Sequence, residues 1–177
     1  METPHLIRRD FLKTATSLTP VLFGTGAALF ASCAPQQKQL EKNKAVVIRL
    51  TEDFWNAKDI NTIDRFYSQK LVTHSPNAPQ DGNFDSFKKQ SIEDFKAFPD
   101  LHITIDDLVA EGDKVVKFWT LHGTHKEEWI GIPATGKKVV VTGMEIFRIE
   151  NEKTVENWMV MDLLGMLQQL GVIPPLG

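Results

Sequence analysis

Residues 139 to 163, VVVTGMEIFRIENEKTVENWMVMDL, contain the pattern that decides the fold. Val139 to Ile149 is rich in β-branched and aromatic residues, and Thr154 to Leu163 continues this composition after the polar pair Asn151-Glu152. Such segments favour strands, and a short polar break between them indicates a turn. The sequence therefore predicts two long strands paired as a hairpin.

Further strands precede this hairpin, and a helix follows it. Leu101 to Asp106 alternates apolar and polar side chains, which predicts a strand with one drier face. After the turn at Gly112-Asp113, Lys114 to Thr124 predicts a second strand and Glu128 to Ile130 a short third one. The leucines of residues 163–170 predict a final helix.

Three helical patterns occupy the first half of the chain. Val47, Leu50 and Phe54 follow a helical period that starts near Ala45. Asn61 is a candidate cap for a second, short helix ending before Ser75-Pro76, and phenylalanines at 84, 87, 95 and 98 predict a third. Helices followed by a meandering antiparallel sheet give an α+β fold. A strongly curved sheet wrapped around the first helix leaves a cone, and its interior is the natural ligand site.

The N-terminus has the features of an export signal. Arg8-Arg9 is followed by Phe11-Leu12, and residues 14–31 carry no charge but are only moderately apolar. This pattern is typical of a twin-arginine signal peptide over residues 1–33, with an ordinary anchor helix as the alternative. Residues 34–44 are predicted to be a polar tether, and residues 45–177 the folded domain. We expect a periplasmic or cell-envelope location.

Cys33 is the only cysteine, so the chain cannot form an internal disulfide. Phe30-Ala31-Ser32 places small residues directly before Cys33, which resembles the lipobox of bacterial lipoproteins. We expect Cys33 to be lipidated and to hold the protein on the membrane. Cleavage next to an unmodified cysteine is the alternative.

The charge balance excludes one class of partner. Without Arg8, Arg9, Lys13, Glu2 and Asp10, the 20 basic and 23 acidic residues become 17 and 21. The mature chain is thus slightly acidic, and its basic residues are scattered. It has no electrostatic footprint for nucleic acid.

Several motifs, in this order and spacing, resemble the SnoaL-like ester cyclase and polyketide cyclase family. They are Phe54-Trp55-Asn56, residues 72–76, Phe98-Pro99-Asp100, residues 109–113, residues 121–125, residues 131–136, Thr142-Gly143, residues 147–150, Trp158 and residues 162–171. The resemblance covers about residues 45 to 172. It implies the cone of the nuclear transport factor two superfamily, which is also described as cystatin-like.

The resemblance also implies a chemistry. The best-known relatives are polyketide cyclases that close a ring by aldol condensation without metal or cofactor, with an aspartate as general acid and base. Asp162 matches that aspartate. The chain departs from the pattern at Asn157, where many relatives have histidine. The outer sheet face of such cones commonly pairs, so a homodimer is expected.

The residues themselves allow a site around Asp162. If the hairpin is centred at Asn151-Glu152, Trp158 lies opposite Glu145, and Asp162 and Glu145 share one wall. Burial beside a second carboxylate would raise the pKa of Asp162 towards that of a general base. The alternative is that Asp162 only caps the following helix.

Other side chains are candidates for ligand binding. We expect His74, Trp119, His122 or His125 to donate to a substrate oxygen, with Glu145 and Trp158 on the cavity wall. His122 and His125 are three residues apart and face opposite sides of a strand, so no metal site is predicted.

These observations favour a cofactor-free cyclase, isomerase or lyase that acts on a small carbonyl compound. Two alternatives remain open. One is a ligand-binding or accessory envelope lipoprotein without catalysis. The other is a hydrolase that uses the same carboxylate to activate water.

Overall fold

The computed structural model describes residues 33–77 and 80–174. Helix α1 (Cys33–Leu50) continues into a π-helical turn (Thr51–Asn56), and a 3₁₀ turn (Ile60–Thr62) leads into α2 (Ile63–Phe66). Helix α3 spans Phe84–Ala97 and α4 spans Leu163–Leu170. The strands are β1 (Tyr67–His74), β2 (Gly82–Asn83), β3 (His102–Glu111), β4 (Lys114–Thr124), β5 (Lys138–Glu150) and β6 (Lys153–Met161). None of the helices in this part of the chain is both long and apolar enough to cross a bilayer.

The six strands form one sheet in the order β2-β1-β6-β5-β4-β3. Neighbouring strands are antiparallel except β1 and β6, which run parallel. The α+β class is confirmed, and the sheet is mixed rather than purely antiparallel. The turn at Asn151 and Glu152 is confirmed as well, because both residues have positive φ, 50° and 61°, and Glu150 pairs with Lys153.

Three predicted elements differ from the structure. Residues 67–74 form β1 and not the end of a helix, and the side chain that caps the preceding 3₁₀ turn is Asp59 rather than Asn61. Residues 128–130 form no strand, because only an isolated bridge joins Trp129 to Ile132. The alternation of apolar residues over residues 67–74 is too weak to distinguish a strand from a helix.

Helix α1 begins earlier than its apolar period indicates. The predicted tether, residues 34–44, is a helical and largely exposed extension of α1, and the helix meets the core only from Asn43 onwards. Asn43 donates to the carbonyl of Gly112 at 3.3 Å. The predicted signal, residues 1–32, lies outside the described residues, and of the predicted lipidation site only the backbone of Cys33 is described.

Two groups of buried side chains form the core. One lies under α1 and includes Val47, Leu50 and Phe54, and the other includes Trp119, Val141 and Met166. Trp55 packs against both groups. The inner face of the sheet is therefore mostly apolar, and a cavity opens between this face and the helices.

Candidate functional site

The cavity has a volume of about 440 Å³. Its walls come from the inner faces of β4, β5 and β6, from α3, and from the end of β1. A volume of this size holds a small organic molecule. Most of the lining surface is apolar, and the polar groups on it decide what the cavity can do.

The inner face of β6 is not the face that the sequence predicted. Val155 is an extra residue between the pairs Ile149–Thr154 and Arg148–Glu156, so Glu145 lies opposite Met159 and not opposite Trp158. A β-bulge of this kind moves every following side chain to the other face. Consequently Asn157, Met159 and Met161 line the cavity, while Trp158 does not.

Asp162 is exposed and lies outside the cavity lining. Its Oδ1 accepts a hydrogen bond from the backbone N–H of Gly165 at 2.8 Å, so the side chain caps α4. The expectation of a desolvated carboxylate at this position is wrong. Asp is a favoured cap because its oxygen satisfies a helix N–H that has no intrahelical partner.

Glu145 lies on the cavity wall and is held by two partners. Its Oε2 is 2.9 Å from Lys117 Nζ, directly across the β4–β5 ladder, and its Oε1 accepts from Asn157 Nδ2 at 3.1 Å. Lys117 is completely buried, with its Nζ 5.0 Å from the centre of the Phe147 ring. Burial, and to a lesser degree the negative charge of Glu145, raises the pKa of Tyr67. The wall thus contains a buried ion pair.

Two indole rings line the cavity with unmatched donors. Nε1 of Trp119 and Nε1 of Trp55 are buried and have no hydrogen-bond acceptor among the described residues. Gly143 lies opposite Trp119, where a Cβ would be 2.2 Å from Cζ2 of the ring. Glycine at 143 therefore makes room for the indole. A buried N–H without an acceptor invites one from a ligand or water.

His74 lines the mouth of the cavity with both ring nitrogens engaged. Nδ1 lies 2.8 Å from Asp81 and Nε2 lies 3.0 Å from Glu156. The hydrogen bond with Glu156, followed by that with Asp81, raises the pKa of His74. The ring stacks on Trp158 with centroids 5.0 Å apart. His74 therefore holds residues around the entrance together, and Trp158 supports it from outside the cavity.

The other predicted histidine donors lie elsewhere. His125 is buried outside the cavity lining, where its Nδ1 lies 3.1 Å from Thr135 Oγ1 and its ring stacks on Phe98. Burial lowers the pKa of His125. His122 is exposed. Within residues 33–77 and 80–174, no three His, Cys, Asp or Glu side chains converge in a way that could hold a metal ion.

Asp94, on α3, lies on the opposite wall from the sheet. Its Oδ1 accepts hydrogen bonds from Trp129 Nε1 at 2.8 Å and from Gln90 Nε2 at 2.9 Å. Its Oδ2 has no partner among the described residues. Burial raises the pKa of Asp94, while the two N–H donors favour its ionised form. Asp94 is thus the carboxyl group of this cavity that no cation of the described residues neutralises.

Comparison with known proteins agrees with this architecture. The family model for SnoaL-like polyketide cyclases matches residues 45–170. The chain belongs to the SnoaL-like polyketide cyclase family. No protein of curated function matches its sequence.

Solved structures show the same fold. AclR from Streptomyces galilaeus, a candidate hydroxylase, is 28% identical with a TM-score of 0.71, covering 78% of this chain and 86% of its own. A candidate polyketide cyclase from Acidithiobacillus ferrooxidans is 28% identical with a TM-score of 0.65, covering 74% and 95%. IdmH from Streptomyces antibioticus, a candidate polyketide cyclase, is 27% identical with a TM-score of 0.64, covering 73% and 98%.

This SnoaL-like chain differs from the arrangement that the resemblance implied. The matching aspartate, Asp162, is a helix cap, and the inner face of β6 beside the cavity carries Asn157, Met159 and Met161, none of which ionises near neutral pH. The carboxyl groups that line the deep cavity come from α3 and β5 instead.

Sequence reasoning missed Asp94, although a signal was present. Phe87, Ser91, Asp94 and Phe98 are spaced i, i+4, i+7 and i+11, so Asp94 falls on the apolar stripe of α3. A charged residue on such a stripe is rarely buried without a reason. Its partner Trp129 comes from residues 128–130, which the sequence predicted as a short strand but which form a loop with one isolated bridge.

Proposed function

We propose that this SnoaL-like protein is a cofactor-free acid/base enzyme, a cyclase, isomerase or lyase, that acts on a small carbonyl compound in its cavity. One observation carries the proposal: Asp94 places a carboxyl group with a free Oδ2 and a raised pKa on the cavity wall. Carboxyl groups with pKa values raised by burial are the general bases of many enzymes.

The proposed reaction begins with proton transfer to Asp94. Oδ2 removes a proton from the carbon next to the substrate carbonyl, and the electron pair moves into the carbonyl to give an enolate. The indole N–H group of Trp119, which lacks an acceptor among the described residues, is the candidate donor to the enolate oxygen. The enolate carbon then attacks a second carbonyl or is reprotonated, and Asp94 returns the proton.

Solvent deuterium exchange tests this proposal. The purified protein should accelerate exchange of the α-protons of aryl ketones such as 1-tetralone, measured by NMR. Asp94→Asn should lower the rate by about 10²-fold or more, since it removes the base while keeping an acceptor for Trp129. Asp162→Asn, which still caps α4, is the matched control. Unchanged exchange in Asp94→Asn would contradict the assignment.

Ligand binding without catalysis is the second candidate. Three methionines, Met159, Met161 and Met166, line the cavity, and Lys117 neutralises Glu145. Flexible, polarisable methionines suit adaptable binding. A protein that binds the ketones but exchanges none of their protons would favour this function.

We also propose that the twin-arginine signal exports the protein and that Cys33 is lipidated. The motifs at Arg8-Arg9 and at residues 30–33 support this. Replacing both Arg8 and Arg9 with Lys should retain the precursor in the cytoplasm. Cys33→Ser should release the protein from the membrane fraction and abolish labelling with a fatty acid. Unaltered fractionation of both variants would contradict the proposal.

A homodimer through the outer sheet face is our third proposal. Phe118, Met144 and Val160 are direct cross-strand neighbours, exposed by 41%, 46% and 51%. A contiguous exposed apolar patch is typical of an interface. Sedimentation should show a dimer that Met144→Lys dissociates, while an unchanged sedimentation coefficient would exclude this face.

A further inference from the structure

Apart from His74, the charged side chains that line the cavity are all negative. Asp81, Asp94 and Glu145 line it, and no Lys or Arg does so among the described residues. Because a cavity surrounded by protein screens charge less than water does, each uncompensated carboxylate affects which ligands can enter.

The three carboxylates are compensated to different degrees. Lys117, behind the wall, forms an ion pair with Glu145 at 2.9 Å, and His74 lies 2.8 Å from Asp81 at the mouth. Asp94 has only neutral partners, Trp129 and Gln90, and no salt bridge among the described residues. The deep cavity therefore keeps the negative charge of Asp94.

The aromatic lining acts in the same direction. Trp55, Trp119 and Trp129 surround the space that Asp94 faces, together with Phe87 and Phe98. The faces of such rings are electron-rich and attract cations, and indole does so most strongly. Anions gain nothing from these faces.

We infer that the cavity selects its ligands by charge, accepting uncharged and cationic apolar compounds and rejecting carboxylates, with Asp94 as the selecting group. This inference deepens the proposed function, on which its statement about substrate rests: the substrate is an uncharged ketone or ester rather than a free acid. A protonated amine of similar shape pairs with Asp94 Oδ2 and competes with that substrate.

Three probes of matched shape test the inference: 1-naphthylmethylammonium, 1-naphthalenemethanol and 1-naphthoate. Their affinities for the purified protein are measured by calorimetry at neutral pH. The alcohol should bind at least about tenfold more tightly than the naphthoate, and the ammonium more tightly than the alcohol. In Asp94→Asn the three affinities should converge to within about threefold. Asp162→Asn, on the exposed cap, should keep the wild-type order.

Several results would overturn the inference. The first is naphthoate binding as tightly as the alcohol. The second is a folded Asp94→Asn variant that keeps the wild-type order of affinities. The third is failure of all three probes to bind. The wild-type order alone remains decisive if Asp94→Asn does not fold. Binding requires no turnover, so the correct order without deuterium exchange would keep the charge selection and remove only the catalytic proposal. Deuterium exchange without the expected order of affinities would keep the catalytic proposal and remove the charge selection.

Discussion

Replacing Glu145 with Leu should destabilise the protein more than replacing Lys117 with Met, although both changes break the same ion pair. In Glu145→Leu, the ammonium of Lys117 stays buried, with a side chain only 1% exposed, and loses its carboxylate. In Lys117→Met, the carboxylate of Glu145 keeps the hydrogen bond from Asn157 and faces the cavity, where water can enter.

The burial of the pair sets the magnitude. Removing one partner of a buried ion pair costs about 3 to 5 kcal/mol, because the other charge loses its compensation. We expect Glu145→Leu at the upper end of this range and Lys117→Met at or below the lower end. The double variant Lys117→Met/Glu145→Leu removes both charges, so it should lie within about 1 kcal/mol of the wild type.

Urea unfolding of the wild type, the two single variants and the double variant measures these differences as a double-mutant cycle. The expected coupling is large, since the double variant recovers most of the lost stability. Single variants that each cost less than about 1 kcal/mol, or a double variant equal to their sum, would refute the structure of this wall.

Three further predictions concern single positions. Asp162→Ala should lower the free energy of unfolding by about 1 kcal/mol through loss of the α4 cap, with deuterium exchange unchanged; a large loss of exchange would contradict the cap assignment. Gly143→Ala should cost about 1 to 3 kcal/mol and alter tryptophan fluorescence, because the new Cβ displaces the Trp119 ring; an unaltered spectrum would contradict this packing. In the folded protein the pKa of His74 is raised above its ordinary value of 6.5. The stabilisation that protonated His74 gives to the fold is therefore complete below pH 6.5, and it is lost as the pH rises through the pKa of the folded state. We expect wild type and His74→Gln to differ in unfolding free energy by about 0.5 kcal/mol, since the group is partly exposed. This difference should shrink above the folded pKa of His74, and a difference that stays constant with pH would argue against the contacts of His74.

The long strands and the last helix could be predicted because their signals are local. β4 and α4 have the predicted bounds, Lys114–Thr124 and Leu163–Leu170, and the turn at Asn151-Glu152 lies where the polar break indicated. Residues 67–74 could not be assigned, because β1 is a strand through pairing with the distant β6 and β2 rather than through its own pattern.

The candidate site was predicted less well, for two physical reasons. The bulge at Val155 leaves no mark in the sequence, yet it turns Trp158 out of the cavity and Met159 into it. Asp94 belongs to the site because α3 packs its apolar stripe over the sheet. This packing depends on the tertiary structure and not on the local sequence. Glu145 and Trp119, by contrast, do line the cavity.

We propose that Asp94, rather than Asp162, is the carboxyl group that meets the ligand. Carbon-13 NMR of the aspartate side chains, recorded during titration with acid and again with 1-tetralone, tests it most directly. We expect the Asp94 carboxyl to titrate above its ordinary pKa of 3.8 and to change its chemical shift when the ketone is added, while the ketone leaves the Asp162 signal unchanged. A ketone response at Asp162 with none at Asp94 would contradict it.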